Sequence, residues 1–79
     1  EAEMLNREIL QTVEAAVAKL PEDLRKAITL REMEGLSYEE IAQIMDCPIG
    51  TVRSRIFRAR EVIAKDLRPL LDTSEDQRW

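Results

Sequence analysis

Residues 36–60 constrain this 79-residue chain more than any other stretch. Gly35, just ahead of them, is suited to close a helix, because glycine readily takes the left-handed conformation that a helix end needs. Ser37 is a good N-cap, and Glu40 three residues later completes the spacing of a capping box. A helix is therefore expected from Tyr38 to Met45, with Ile41, Ala42 and Met45 on its inner face. Asp46-Cys47-Pro48 makes a turn. Proline cannot continue a helix but starts one well, so a second helix is expected from Ile49. A short helix, a turn of about three residues and a longer helix form a helix-turn-helix.

The second helix carries the functional signal. Val52, Ile56, Ala59, Ile63 and Leu67 fall on one stripe at helical spacing, which marks the buried face. With Val52 at zero, Arg53 lies near about 100°, Phe57 near about 140°, Ser54 near about 200° and Arg58 near about 240°. These four project away from the core. Thr51 and Arg55 flank them on one side and Arg60 on the other. No acid stands between Ile49 and Arg60. Such a face suits the major groove of DNA. Arginine grips guanine O6 and N7 as a bidentate pair, serine is a short adaptable partner, and a phenylalanine edge meets a thymine methyl. The bland alternative is a solvated, arginine-rich helix with Phe57 tucked sideways, and the capped helix and turn in front of it disfavour that.

The formal net charge of −4 looks wrong for a DNA-binding chain until it is divided. Residues 1–47 hold five Lys/Arg against eleven Asp/Glu, a net −6. Residues 48–68 hold six against two, a net +4, and residues 69–79 one against three, a net −2. Basic charge is concentrated on the second helix of the motif, and a local patch matters more than the total. Overall acidity opposes strong non-specific binding, so the domain is expected to need a partner to reach DNA.

The remaining chain reads as all-α. Leu5, Ile9, Val13, Ala16, Val17 and Leu20 follow helical spacing from about Ala2 to Lys19. Leu20-Pro21 breaks that helix. Pro21 opens the next one, Glu22 and Asp23 complement its positive end, and it is expected to run to about Glu34. Leu24, Ala27, Ile28 and the stem of Arg31 line its inner side, with Leu30 and Met33 widening the apolar surface toward the core. Pro69 is expected to stop the fourth helix, with Leu70 and Leu71 packing back and Asp72–Trp79 frayed. The result is a small four-helix domain over residues 1–69 and a flexible tail over 70–79. The first residue is not methionine, which suggests a piece of a larger protein. No run approaches the roughly 18 apolar residues of a membrane span. One cysteine allows no internal disulfide, in keeping with the cytoplasm, and Cys47 is expected to be a small buried hydrophobe. With no histidine and no phosphate-cradling glycine loop, no catalytic residue, metal ligand or cofactor site is expected, and the chain is not read as an enzyme.

Three stretches carry a family resemblance: Leu20-Pro-Glu-Asp-Leu-Arg25, Leu30-Arg-Glu-Met-Glu-Gly-Leu-Ser-Tyr-Glu-Glu-Ile-Ala42, and Gly50-Thr-Val-Arg-Ser-Arg-Ile-Phe-Arg-Ala-Arg60. Together they resemble region 4 of bacterial sigma factors, in particular the sigma-E-like members of the extracytoplasmic-function group. The likeness is strong from Leu20 to Leu67 and loose over the first helix. It implies recognition of the promoter minus-35 element, similar to GGAACTT, while docked on the β-subunit flap of RNA polymerase. Base contacts would then fall on Arg53, Ser54, Phe57 and Arg58. Phosphate contacts would fall on Arg31 and Thr51, with Arg55 and Arg60 as weaker candidates. It further implies a membrane-anchored anti-sigma factor as partner, with Leu5, Ile9, Leu24 and Ile28 offering apolar contacts to polymerase or to that factor. A monomer is expected. Two rivals stand beside this reading. A response-regulator output domain also has a capped helix, a turn and a Thr-Val-(Lys/Arg) start, but the Ser54-Arg55-Ile56-Phe57-Arg58 continuation speaks against it. A protein-interaction module without DNA contact is disfavoured by the outward basic face.

Overall fold

A computed structural model describes the backbone of residues 2–77 and the side chains of residues 4–70. Four helices follow one another: α1 (Ala2–Ala18), α2 (Glu22–Glu32), α3 (Tyr38–Met45) and α4 (Ile49–Gln77). The fold is all-α, and α4 is its spine: it packs against each of the other three helices, while α2 also meets α3. The core is built where they converge, from Leu20, Ala27, Ile28, Ile41, Ala42, Val52, Ile56 and Ala59. Val52, Ile56 and Ala59 are the expected stripe of α4, at 0%, 1% and 0% exposure, so the helical phase assigned to this element holds. Ile63 and Leu67, farther along the stripe, are half-buried.

The junctions follow from local chemistry. Arg25 reaches back across the Leu20-Pro21 break and donates from Nη1 to the Ala18 carbonyl at 3.2 Å, satisfying an acceptor that the end of α1 leaves open. Gly35 sits at φ 72°, in the left-handed region, and the chain turns there between α2 and α3. The capping box forms in full. Glu40 N–H donates to Ser37 Oγ at 3.1 Å, and Ser37 N–H donates to Glu40 Oε1 at 2.8 Å. Asp46 takes the left-handed conformation at φ 55° and ends α3, and the Pro48 carbonyl accepts from the N–H groups of Thr51 and Val52 to start α4.

Several expectations are corrected. Pro69 does not stop α4, which continues through it to Gln77. Proline's fixed φ is compatible with a helix; what it lacks is an N–H for the Lys65 carbonyl, and Pro69 is exposed, so its ring leaves the core undisturbed. Leu70 is half-buried. The side chains of residues 71–77, and Arg78 and Trp79 altogether, lie outside the described residues, and so does the packing expected of Leu71; where a frayed tail was expected, the backbone through Gln77 is helical. α2 ends at Glu32 rather than Glu34, with Met33 as its C-cap. Met33 is consequently 81% exposed and widens no core surface. Cys47 is half-buried rather than buried, packed against the core with Arg55 Nη1 3.7 Å from its sulfur.

Candidate nucleic-acid interface

The first turns of α4 present the expected face. Arg53, Ser54, Phe57 and Arg58 are all exposed, and Phe57 retains 63% of its surface. They project outward because Val52, Ile56 and Ala59 are locked inward, and the α3–α4 turn sets where the helix begins. Arg58 has no ion-pair or hydrogen-bond partner among the described residues. An unengaged guanidinium on an exposed helix face is free to meet a base edge or a phosphate.

Tyr38, the first residue of α3, is a platform beside that face. The Arg31 guanidinium carbon lies 4.9 Å from the centre of its ring and that of Arg53 lies 6.0 Å away. Both distances are in the range of cation–π attraction. Arg31 also donates from Nη1 to the Leu36 carbonyl at 2.8 Å, fixing the loop ahead of Ser37. Arg31, Ser37, Tyr38, Glu39, Ile49 and Arg53 line one shallow recess. The aromatic platform was not singled out from the sequence. The available signal was an aromatic at the start of a capped helix with an arginine seven residues upstream, and only the fold sets the distance.

The other expected phosphate contacts divide. Thr51 is half-buried at the edge of α4. Arg55 is half-buried and turned inward, its Nε 3.5 Å from Asp23 Oδ2 at the start of α2. Arg60 donates from Nη2 to Glu32 Oε2 at 2.6 Å, and that hydrogen bond raises its already high pKa further. As they stand, Arg55 and Arg60 are engaged within the protein.

Of the four apolar contact candidates, Leu5 is 40% exposed, while Ile9 and Leu24 are half-buried. Ile28, expected on the inner side of α2, is there: at 4% exposure it belongs to the core where α2 meets α4, which leaves it little surface for a partner. A shallow groove between those helices is lined by Ile28, Ile63, Ala64 and Leu67, with Glu32 and Arg60 at its edge. Among the described residues, no cluster of three or more His, Cys, Asp or Glu side chains is placed to hold a metal ion. No helix among the described residues is long and apolar enough to cross a membrane.

Residues 10–63 match the family of sigma-70 region 4, more than half of the chain. This chain belongs to the sigma-70 region 4 family. The region 4 domain is 63% identical over 71 residues to the ECF RNA polymerase sigma-E factor of Haemophilus influenzae, covering 90% of this chain and 38% of that relative. It is 66% identical over 71 residues to the RNA polymerase sigma-H factor of Pseudomonas aeruginosa, with 90% and 37% covered. It is 66% identical over 68 residues to the ECF RNA polymerase sigma-E factor of Escherichia coli K12, with 86% and 36% covered. The region 4 domain thus spans little more than a third of the length of the curated relatives it matches.

Proposed function

We propose that this region 4 domain reads the minus-35 element of promoter DNA in the major groove, as part of a sigma factor that directs RNA polymerase to promoters during transcription initiation. The observation that carries the reading is the exposed row Arg53, Ser54, Phe57 and Arg58 on α4, held behind the capped helix α3. The row combines a bidentate donor for guanine, a short hydroxyl and an aromatic edge for thymine methyl, which together suit base readout. Arg31 and Thr51, at the flank, serve as phosphate contacts that set the register. The names of the relatives support an RNA polymerase context.

The core polymerase, through its β-subunit flap, and an anti-sigma factor are the protein partners in this reading. Leu5, Ile9 and Leu24 offer apolar surface to them. The domain acts as a cytoplasmic monomer and performs no catalysis itself. The test is a binding selection from duplexes randomised at the minus-35 position, with the domain fused to a polymerase-flap segment. Enrichment of elements similar to GGAACTT is expected. A pool that stays random while the flap still binds would leave an interaction module and overturn DNA readout.

A further inference from the structure

The two arginines nearest each other in one recess beside the reading helix are held differently. Asp23, Thr51, Ser54, Arg55 and Arg58 line that recess together. Arg55 and Arg58 are three residues apart, so they lie about 60° from one another around α4 and one helical turn apart along it. Arg58 has no partner among the described residues, whereas Arg55 faces Asp23 at 3.5 Å. The carboxylate is itself fixed. Its Oδ1 accepts from the Leu24 N–H at 2.9 Å, and the positive end of α2 favours its charge. Its other oxygen is left to face Arg55. The side chains of Arg55 and Asp23 keep 27% and 52% of their exposure, so the pair is wet, and another anion can compete for Arg55.

From this geometry we propose that Asp23 is a built-in restraint on DNA affinity. It neutralises Arg55 at the edge of the reading face and withholds one cation from the phosphate backbone. The inference rests on α4 being the DNA-contacting helix. A protein gains sequence-independent affinity from each phosphate it neutralises, and that gain appears as the slope of binding against salt. With Arg55 cancelled by Asp23, the domain forgoes one such contribution. Binding then leans more on the base-reading side chains and on delivery by a partner. Asp23 in this role is a positioning residue for Arg55, with no base contact of its own.

The test compares the full 79-residue chain with Asp23→Asn, Arg55→Gln and the double variant. Each is titrated, by fluorescence anisotropy over a range of salt, with a duplex carrying GGAACTT and with a scrambled duplex. Asp23→Asn is expected to tighten binding to both duplexes by the same factor and to steepen the log–log salt slope by about 0.9. Its advantage then grows about 3.5-fold when salt is lowered from about 200 to about 50 mM. In the Arg55→Gln background the gain disappears. Asp23→Ser keeps an oxygen for the Leu24 N–H and should match Asp23→Asn, which guards against an effect of a damaged α2. An unchanged slope, or a gain that survives in Arg55→Gln, would overturn the restraint. Equal binding of the unaltered chain to both duplexes would instead overturn the reading of α4 as a base-reading helix.

Discussion

Phe57 and Ile56 are neighbours in sequence with opposite fates, because one helical step of about 100° separates the core from solvent. Ile56 is 1% exposed and Phe57 63%. Phe57→Ala should therefore leave the melting temperature nearly unchanged, where truncating a buried aromatic costs about 3–5 kcal/mol. A large drop in thermal melting would mean that the ring packs inward. The arginines differ in the same way. Arg58→Ala removes an unengaged side chain and should cost about 1–3 kcal/mol on the preferred element while relaxing preference at one or two positions. Arg31→Ala should weaken every sequence alike. It should also lower stability modestly, because Arg31 holds the Leu36 carbonyl and stacks on Tyr38. Parallel titrations on matched and scrambled duplexes separate the two, and identical profiles for both variants would remove the distinction between base and phosphate contacts.

At the scale of the element, the helix-turn-helix depends on two short devices. The capping box at Ser37 satisfies donors at the start of α3, a helix of only 8 residues. Ser37→Ala should cost about 1 kcal/mol, read by chemical denaturation. Because α3 backs onto the first turns of α4, the same change should also weaken DNA binding without altering sequence preference. Pro69 makes the opposite case. It lies inside α4, where alanine is preferred over proline by up to about 3 kcal/mol in a helix interior. Pro69→Ala should raise the melting temperature and leave DNA affinity unchanged, since the reading face lies at the other end of the helix. A lower melting temperature would show that Pro69 makes a packing contribution larger than its backbone cost.

For the whole molecule, charge is separated along the fold. Two of the three acids of α2 are paired across to arginines of α4, through Asp23–Arg55 and Glu32–Arg60, while Lys19 of the α1–α2 junction meets Asp66 of α4 at 2.7 Å. These exposed pairs contribute little stability each. Their larger effect is on the field: they reduce the net charge that the basic half of α4 offers to DNA. Four phosphate contacts would give a salt slope of about −3.6, and with Arg55 and Arg60 engaged internally it should lie nearer about −1.8. Acting as the proposed monomer, the domain would also lack the doubled interface of dimeric helix-turn-helix proteins. The isolated chain should therefore bind DNA weakly at physiological salt, and tethering to polymerase would raise its effective concentration at the promoter. Titration with promoter duplex is the check, and nanomolar sequence-specific binding by the monomer would contradict it.

Much of this was legible in the residues themselves, wherever the controlling interaction is local. The capping box is a contact three residues apart, the turn at Asp46-Cys47-Pro48 is backbone chemistry, and the buried stripe of α4 is a period. All three emerge from short-range rules, and the exposed row Arg53, Ser54, Phe57 and Arg58 followed from the same period. The continuation through Pro69 was missed because a proline's penalty is one term in a sum over many helical residues. The tertiary structure alone decided which arginines are free. Arg55 meets Asp23 across 32 positions of chain and Arg60 meets Glu32 across 28, so neither pairing leaves a mark on local periodicity. Ile28 was read as an inner residue of α2 and also as an apolar partner contact, and only the fold decides between the two by burying it. Its neighbours along α2 do not reveal that α4 crosses over it, and burial depends on that crossing.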